Sequence, residues 1–497
     1  MSIVVINNLT FSYDGSYEEI FEDVNFNFDS DWKIGLIGRN GRGKTTLLKL
    51  ILGEEEYKGE IISAVAFSLF PFDVPDESQT SVEIIEELNP TYEFWELCRE
   101  LNLMNVPEEL LFRPFDTLSH GERTKIQLAM LFIKKDNYLL LDEPTNHLDA
   151  EGKDTIKEYL SKKKSFILVS HDRTLLDAVT DHTISLNRSS IEVVAGSFSQ
   201  WQENREKQDN FEFSENEKLR REIKKLQTAA SRTANWSDKV ESTKTGAGPV
   251  DRGFIGHKSA KMMKRSKSIE SRQEDAIVKK SKLLNDTESV GSLKISTLKY
   301  HSTYLVRVND LAIAYDDKQV VDDINFEIMQ GQRLHLKGGN GSGKSSILKL
   351  IAGESVSHIH HTGIVRIGSG VRISYLPQST SYLRGSMQTF AKEAGINFTL
   401  FLTILINLGL SRNHFEHDIS ELSEGQKKKI LIAKSLSEEA HLYIWDEPLN
   451  YIDILSRIQI EDLILRFEPT MIFVEHDEVF STKISNSEPI VLGGVNS

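Results

Sequence analysis

The sequence of 497 residues holds a single cysteine, Cys98, so no disulfide can form within the chain and a reducing compartment is the expected setting. None of its sequence neighbours would lower its thiol pKa, and inert packing is the expected role. Long hydrophobic runs are missing as well. The longest, Phe398 to Leu410, is about 13 residues where a bilayer-crossing helix needs roughly 20, so it reads as a buried core helix. The first residues, MSIVVINNLTFSYDG, lack a basic start followed by an apolar block and a cleavage site, which argues against secretion. With 39% hydrophobic and 27% charged residues, neither wholesale disorder nor a membrane bundle fits. The length suits two to four domains, each able to bury its own core.

What the chain does have is repetition. GRNGRGKT, at Gly38 to Thr45, returns 300 positions later as GGNGSGKS, at Gly338 to Ser345. LSHGE, at Leu118 to Glu122, returns as LSEGQ, and LLLDEPTNHLD returns as YIWDEPLNYID, both offset by 304; VSHD and VEHD follow at 305. Order and spacing are kept, so one domain is used twice, in residues 1–200 and 301–497. Within each copy, short apolar runs such as WKIGLIG, NYLLLD and LYIWD end in a glycine or an acid and alternate with helical patterns. This predicts an α/β fold: two tandem P-loop nucleotide-binding domains with parallel sheets.

Residues 201–300 differ in character. The whole chain has a net charge of −15, yet Lys218 to Lys282 hold 18 Lys and Arg against 7 Asp and Glu, a local +11 that leaves −26 elsewhere. Leu219, Ile223, Leu226 and Ala230, then Met262, Ile269, Ala276 and Leu283, have the spacing of two packed helices. The glycine-rich stretch at 243–257 would turn between them. A long α-helical coiled-coil hairpin is predicted, its helices about 60 Å long at 1.5 Å per residue. A pair of solvated linker helices is the plainer alternative.

The pattern GxxxxGK[ST] is a phosphate cradle, because its glycines let backbone N–H groups converge on phosphate oxygens at a helix N-terminus. Gly38, Asn40, Gly41, Gly43 and Thr46, and Gly338, Asn340, Gly341, Gly343 and Ser346, make up the two loops and helix starts that would hold ATP. Lys44 and Lys344 would neutralise phosphate charge, while Thr45 and Ser345 would ligate Mg2+. Asp142 and Asp446 end apolar strands, where a carboxylate reaches the magnesium shell. Glu143 and Glu447 follow and are the candidate bases that orient and deprotonate the attacking water.

Together, LSxG[EQ], DEP and the downstream histidine resemble the signature set of ABC ATPases, and DEPTNHLD is similar to the form favoured by the ABC-F family. The resemblance covers essentially the whole chain and implies two head-to-tail composite sites. The first would combine Tyr13, Lys44, Thr45, Asp142, Glu143 and His171 with Ser423 and Gly425. The second would combine Tyr315, Lys344, Ser345, Asp446, Glu447 and His476 with Ser119 and Gly121. The tyrosines would stack on adenine, and the histidines would hydrogen-bond the γ-phosphate. Gln378, in ISYLPQ, would sit near magnesium and the water; the matching FSLFPF has Phe72, and DEPLNYID has Leu449 and Tyr451 for Thr145 and His147. Unequal sites are therefore expected. His358, His360 and His361 lack partners at ligand spacing and are expected in a variable loop. GSFSQW, at Gly196 to Trp201, resembles the stretch with which the family leaves its first domain.

The resemblance further implies a cytoplasmic, ribosome-associated ATPase whose domains pair within one chain, a monomer with no stable membrane partner. The linker would enter the exit site of the 70S ribosome, beside 23S rRNA, 50S proteins and the tRNA in the peptidyl site. Lys244, Arg252, Lys258, Lys261, Lys264, Arg265 and Lys267 are candidate RNA phosphate contacts, with Phe254 and His257 placed to stack on a base or ribose. The chain looks like the Lsa and Vga target-protection group, which implies resistance to lincosamides, streptogramin A antibiotics and pleuromutilins. Phe72 precedes Leu118 by 46 positions and Gln378 precedes Leu422 by 44, so the inserted arm of many housekeeping relatives is absent or minimal. A housekeeping translation factor, the ATPase subunit of a transporter and a DNA-repair ATPase are the alternatives. The last lacks its usual zinc-binding cysteines or very long coiled coils.

Overall fold

The computed structural model describes residues 2–13, 19–134, 137–146, 148–187, 191–208, 211, 214, 218, 221, 224, 295–315, 318–339, 341–354 and 359–493. The chain divides into two compact units, Met1–Ser199 with Gly291–Ser497, and Gln200–Val290. Residues 201–208, 211, 214, 218, 221 and 224 of the linker are helical; the rest of the predicted hairpin, with its tip at 243–257, lies outside the described residues.

In the first copy a six-stranded sheet runs in the order Ala66–Phe70, Asn137–Asp142, Phe166–Val169, Lys33–Gly38, His182–Leu186 and Ile191–Ala195. All neighbours are parallel except the last pair. The second copy repeats this with Ile373–Leu376, Leu442–Asp446, Met471–Val474, Arg333–Gly338 and Ile490–Leu492, all parallel. Strand order departs from sequence order, and the C-terminal ends beside such a reversal are where open α/β sheets place ligands. A three-stranded antiparallel sheet accompanies each: Phe21–Asp29, Ile3–Phe11 and Lys58–Ile62, then Lys318–Met329, Tyr304–Tyr315 and Ile359–Ile367.

The apolar runs read from the sequence are central strands buried on both faces. Leu36, Tyr138, Leu140, Ile167 and Ile184 meet Val4, Ile6 and Phe28 of the antiparallel sheet in one core. Leu336, Ile444 and Ile472 meet Val306, Val308 and Ile328 in its counterpart. Each such side chain withdrawn from water contributes roughly 1.5–3 kcal/mol. The run from Phe398 forms the helix Phe398–Asn407, whose Phe401, Ile404 and Leu405 pack beside Trp445 and Leu449. Among the described residues, no helix is long and apolar enough to cross a membrane. Cys98 is buried, and burial pushes its thiol pKa up, which fits inert packing.

One expectation fails. His360 and His361 belong to the strand Ile359–Ile367, paired with Ala314 and Ile313, because backbone pairing to the neighbouring strand carries this polar segment into the sheet. His358 lies outside the described residues, and those described show no cluster of His, Cys, Asp or Glu that could hold a metal. Residues just before 301 pack on the second copy: Ile295 joins its core, and Leu298 donates its N–H to Ala440 at 2.9 Å.

Candidate functional site

Each phosphate loop joins a central strand to a helix, Lys33–Gly38 to Lys44–Leu52 and Arg333–Gly338 to Lys344–Ala352. Gly43 and Gly343 stand at φ 83° and 88°. A Cβ on Gly43 would meet Ile20 at 2.6 Å, so both handedness and space require glycine. The turn aims the first, unpaired N–H groups of the helix into the loop. Lys44 donates from Nζ to the carbonyls of Gly38 at 2.9 Å and Arg39 at 3.3 Å, and Lys344 donates to those of Gly338 at 2.9 Å and Gly339 at 2.7 Å. Burial lowers both lysine pKa values. Gly41 and Gly341 take φ 78° and 76°; Asn340 lies outside the described residues.

The second residue of each helix meets the carboxylate that ends the next strand. Thr45 donates from Oγ1 to Asp142 at 2.7 Å, and Ser345 from Oγ to Asp446 at 3.1 Å. One further along, the hydroxyls of Thr46 and Ser346 meet those of Tyr13 at 2.9 Å and Tyr315 at 2.7 Å. Both tyrosine rings remain partly exposed, at 43% and 38%. The bond tethers each ring by its tip and leaves ring surface open to a ligand.

Glu143 and Glu447 have left-handed backbones, φ 51° and 47°, unusual for a residue with a side chain. Their N–H groups still bond the neighbouring strand, at Val169 and Val474, so the chain turns sharply just after the sheet ends. Their surroundings differ. The Glu143 carboxylate has His171 Nε2 at 3.3 Å and accepts the His171 backbone N–H. Glu447 accepts from Gln378 and Asn450 at 2.7 Å each, with His476 Nε2 at 3.5 Å. Burial, then the neighbouring Asp142 carboxylate, pushes the Glu143 pKa up to about 8. The His476 bond, opposed by burial and helped by Gln378 and Asn450, holds Glu447 below its ordinary value. Burial, then Arg457, lowers His171 to about 3, so its ring stays neutral. At Phe72, which replaces the glutamine, the backbone carbonyl accepts from Gln127 at 2.9 Å, and the apolar ring has no group to donate to a carboxylate.

Ser119 and Ser423 cap the helices His120–Phe132 and Glu424–Ser437, each in a reciprocal pair with the residue three on, Glu122 or Gln426. The first phosphate loop is drawn against the second copy. Asn40 donates its backbone N–H to Asp453 at 3.2 Å and its side-chain amide to the Tyr451 carbonyl at 2.8 Å. A Cβ on Gly425 would lie 3.2 Å from Asn40 Nδ2, so Ser423 and Gly425 stand beside this loop. Arg39 donates to the Asn407 carbonyl, Arg457 donates to that of His171, and Arg173 pairs with Glu461. One cavity of about 2410 Å³ spans both faces: Ser119, Gly121, Gly338, Lys344 and Gln378 line it together with Lys44, Ser423 and Gly425. Among the described residues no hydrogen bond or ion pair joins Ser119 or Gly121 to Lys344 or Ser345.

Asn450, Asp453 and Arg457 were not singled out from the sequence. The signal for two of them was there, since Asn450 and Asp453 recur from Asn146 and Asp149 in DEPLNYID and DEPTNHLD. His147 lies outside the described residues, as do the candidate RNA contacts Lys244, Arg252, Phe254, His257, Lys258, Lys261, Lys264, Arg265 and Lys267.

A magnesium ion bound through a serine or threonine hydroxyl and one strand-end aspartate would need further oxygens from a nucleotide and water. The residues fit such an ion: the second carboxylate oxygen of Asp446, Oδ2, is buried without a hydrogen-bond partner among the described residues. Burial also raises the pKa of Asp142 and Asp446, which nearby positive charge would relieve.

Residues 21–146 and 321–450, just over half of the chain, match the family described as ABC transporter. The ribosome protection protein VmlR of Bacillus subtilis (strain 168) is 27% identical, covering 98% of this chain and 86% of its own. ABC transporter F family member 2 of Arabidopsis thaliana is 26% identical, covering 97% and 75%. The archaeal ribosome recycling factor aABCE1, solved in complex with the ribosomal stalk protein aP1, shares the fold at a TM-score of 0.59 and 18% identity, covering 97% and 87%. Two matched phosphate loops, two strand-end Asp-Glu pairs and a family match to both copies place the chain in the ABC transporter family, as a tandem ATPase.

Proposed function

We propose that this ATPase works on the ribosome, protecting the peptidyl-transferase centre from lincosamides, streptogramin A antibiotics and pleuromutilins. The carrying observation is the local charge of +11 between two ATPase copies in a chain that is otherwise acidic. Phosphate backbones are the partner for such a segment, and counter-ion release would make the association fall steeply with salt. The alignment with VmlR, named a ribosome protection protein, across 98% of the chain supports the same reading. A housekeeping role is disfavoured by the short spacing of 46 positions between Phe72 and Leu118.

In this reading each site holds one ATP with Mg2+. Magnesium would neutralise phosphate charge there; Thr45 with Asp142 and Ser345 with Asp446 would hold it. Lys44 and Lys344 would exchange their loop carbonyls for phosphate oxygens. Glu143 and Glu447 would take the proton of the attacking water, and His171 and His476 would steady them. Gln378 would add a further hold on Glu447.

Two experiments test the reading. With Glu143→Gln and Glu447→Gln combined, ATP-bound protein should sediment with 70S ribosomes; recovery in a membrane pellet would point to a transporter subunit instead. Expression in a susceptible host should raise the inhibitory concentrations of lincomycin, virginiamycin M and tiamulin. Unchanged values for all three would remove the protection role and leave the ATPase standing.

A further inference from the structure

The two faces between the copies carry opposite charge arrangements at equivalent positions. On the first, Arg173 of the helix Arg173–Val179 reaches Glu461 of the helix Ile454–Phe467, with Nη1 donating to Oε2 at 3.2 Å and Nη2 to Oε1. This pair is buried, Arg173 6% and Glu461 0% exposed. Lys483 adds a third charge, its Nζ 3.0 Å from Glu461 Oε2.

The repeat supplies the counterparts. At the offset of 305 that relates VSHD to VEHD, Arg173 corresponds to Glu478. At the offset of 304 that relates the two DEP segments and the helices after them, Glu461 corresponds to Lys157. Both charges are reversed. Glu478 is 81% exposed, and among the described residues its ion-pair partner is Lys337 at 3.8 Å. The Lys157 ammonium, half-buried on the helix Ala150–Ser161, has no hydrogen bond or ion pair among the described residues. Lys153, one turn before Lys157, lines the same cavity as Glu478. Lys153 is itself the counterpart of Arg457, which on the first face donates to the His171 carbonyl at 3.1 Å.

We propose that the second face closes on an ion pair between Glu478 and Lys157, the charge-reversed counterpart of Arg173 and Glu461. A pair preserved in geometry and inverted in sign serves only one combination of domains. Two first copies set face to face would oppose Arg173 to Lys157, and two second copies would oppose Glu478 to Glu461. Both oppositions are repulsive and desolvated on closure, so the arrangement selects one copy of each kind. It also makes the faces unequal: on the first, Lys483 braces the acid, whereas its counterpart beside Lys157 is Ala178. The second face would therefore close on the weaker pair.

The test uses the full chain and reads charge, closure and nucleotide binding separately. Glu478→Lys and Lys157→Glu should each lower ATP turnover about tenfold, and the two together should restore it to within about twofold, as a cycle of coupled residues requires. A double variant no better than the worse single one, or single variants at the original rate, would overturn the pair. Closure is read directly with Glu478→Cys and Lys157→Cys in the Glu143→Gln, Glu447→Gln background, where buried Cys98 does not compete. A bismaleimide, which alkylates both thiols without an oxidant and reaches as far as a Lys–Glu pair where a disulfide does not, should link the two cysteines with ATP and not without it. No link in protein shown by retained radiolabelled ATP to be loaded at two sites refutes the proposal. Failure to retain ATP at all would instead count against the ATP-site reading on which closure rests, and then the charge-swap rescue alone decides.

Discussion

The backbone N–H of Asn40 donates to the carboxylate of Asp453 at 3.2 Å, joining the first phosphate loop to the cap of a helix in the other copy. The same carboxylate accepts from buried Lys429 at 2.8 Å and from the Ser456 N–H at 2.9 Å. Burial alone would raise the Asp453 pKa; Lys429 and Ser456 overcome it and hold it well below the carboxylate range. Its contribution to stability is therefore full above the ordinary value of 3.8 and lost as pH falls below it.

Asp453→Asn keeps the shape and leaves the Lys429 charge buried without its counterion. It should cost about 3 kcal/mol of stability at pH 7, read from urea unfolding, and the loss should shrink toward pH 3. An equal loss at both pH values would show that the charge is not the cause.

The signature glycines should differ in nucleotide-free protein. A Cβ on Gly425 would lie 2.5 Å from the Tyr451 carbonyl oxygen, a backbone atom, whereas on Gly121 it would meet the side-chain end of Leu148 at 3.3 Å. Gly425→Ala should lower stability by roughly 1–3 kcal/mol, and Gly121→Ala should leave the thermal midpoint nearly unchanged. Equal midpoints would mean that the two faces are equally open.

The opposite pKa directions at Glu143 and Glu447 predict different pH profiles, since kcat/KM reports groups of the free enzyme. In Glu447→Gln, turnover would depend on Glu143 as the proposed base, which must lose a proton held up to about 8, so kcat/KM should rise between pH 6 and 8. In Glu143→Gln it depends on Glu447, ionised throughout, and the profile should be flat. Matching profiles would refute the difference.

Much of this was legible in the sequence because the motifs are local. A phosphate loop is a strand, a glycine turn and a helix start within a dozen residues, and the turn chemistry fixes it; the repeat then distinguished these motifs from chance. Thr45, Asp142, Ser345 and Asp446 each read as magnesium ligands in the sequence; that Thr45 meets Asp142 and Ser345 meets Asp446 is seen in the structure. His360 and His361 do not read as strand in the sequence because a polar segment in an antiparallel sheet carries no apolar signal; Ala314 and Ile313, 46 and 48 residues away, fix them by backbone pairing.

By itself the sequence determined the duplication, the two sets of phosphate-loop, signature and strand-end motifs and their order, since each is written in contiguous segments whose local chemistry admits few conformations. Only the tertiary structure decided which face is joined. That depends on Asn40 meeting Asp453 and Arg173 meeting Glu461 across 413 and 288 positions, where packing and desolvated charge choose the partner and sequence spacing carries no instruction.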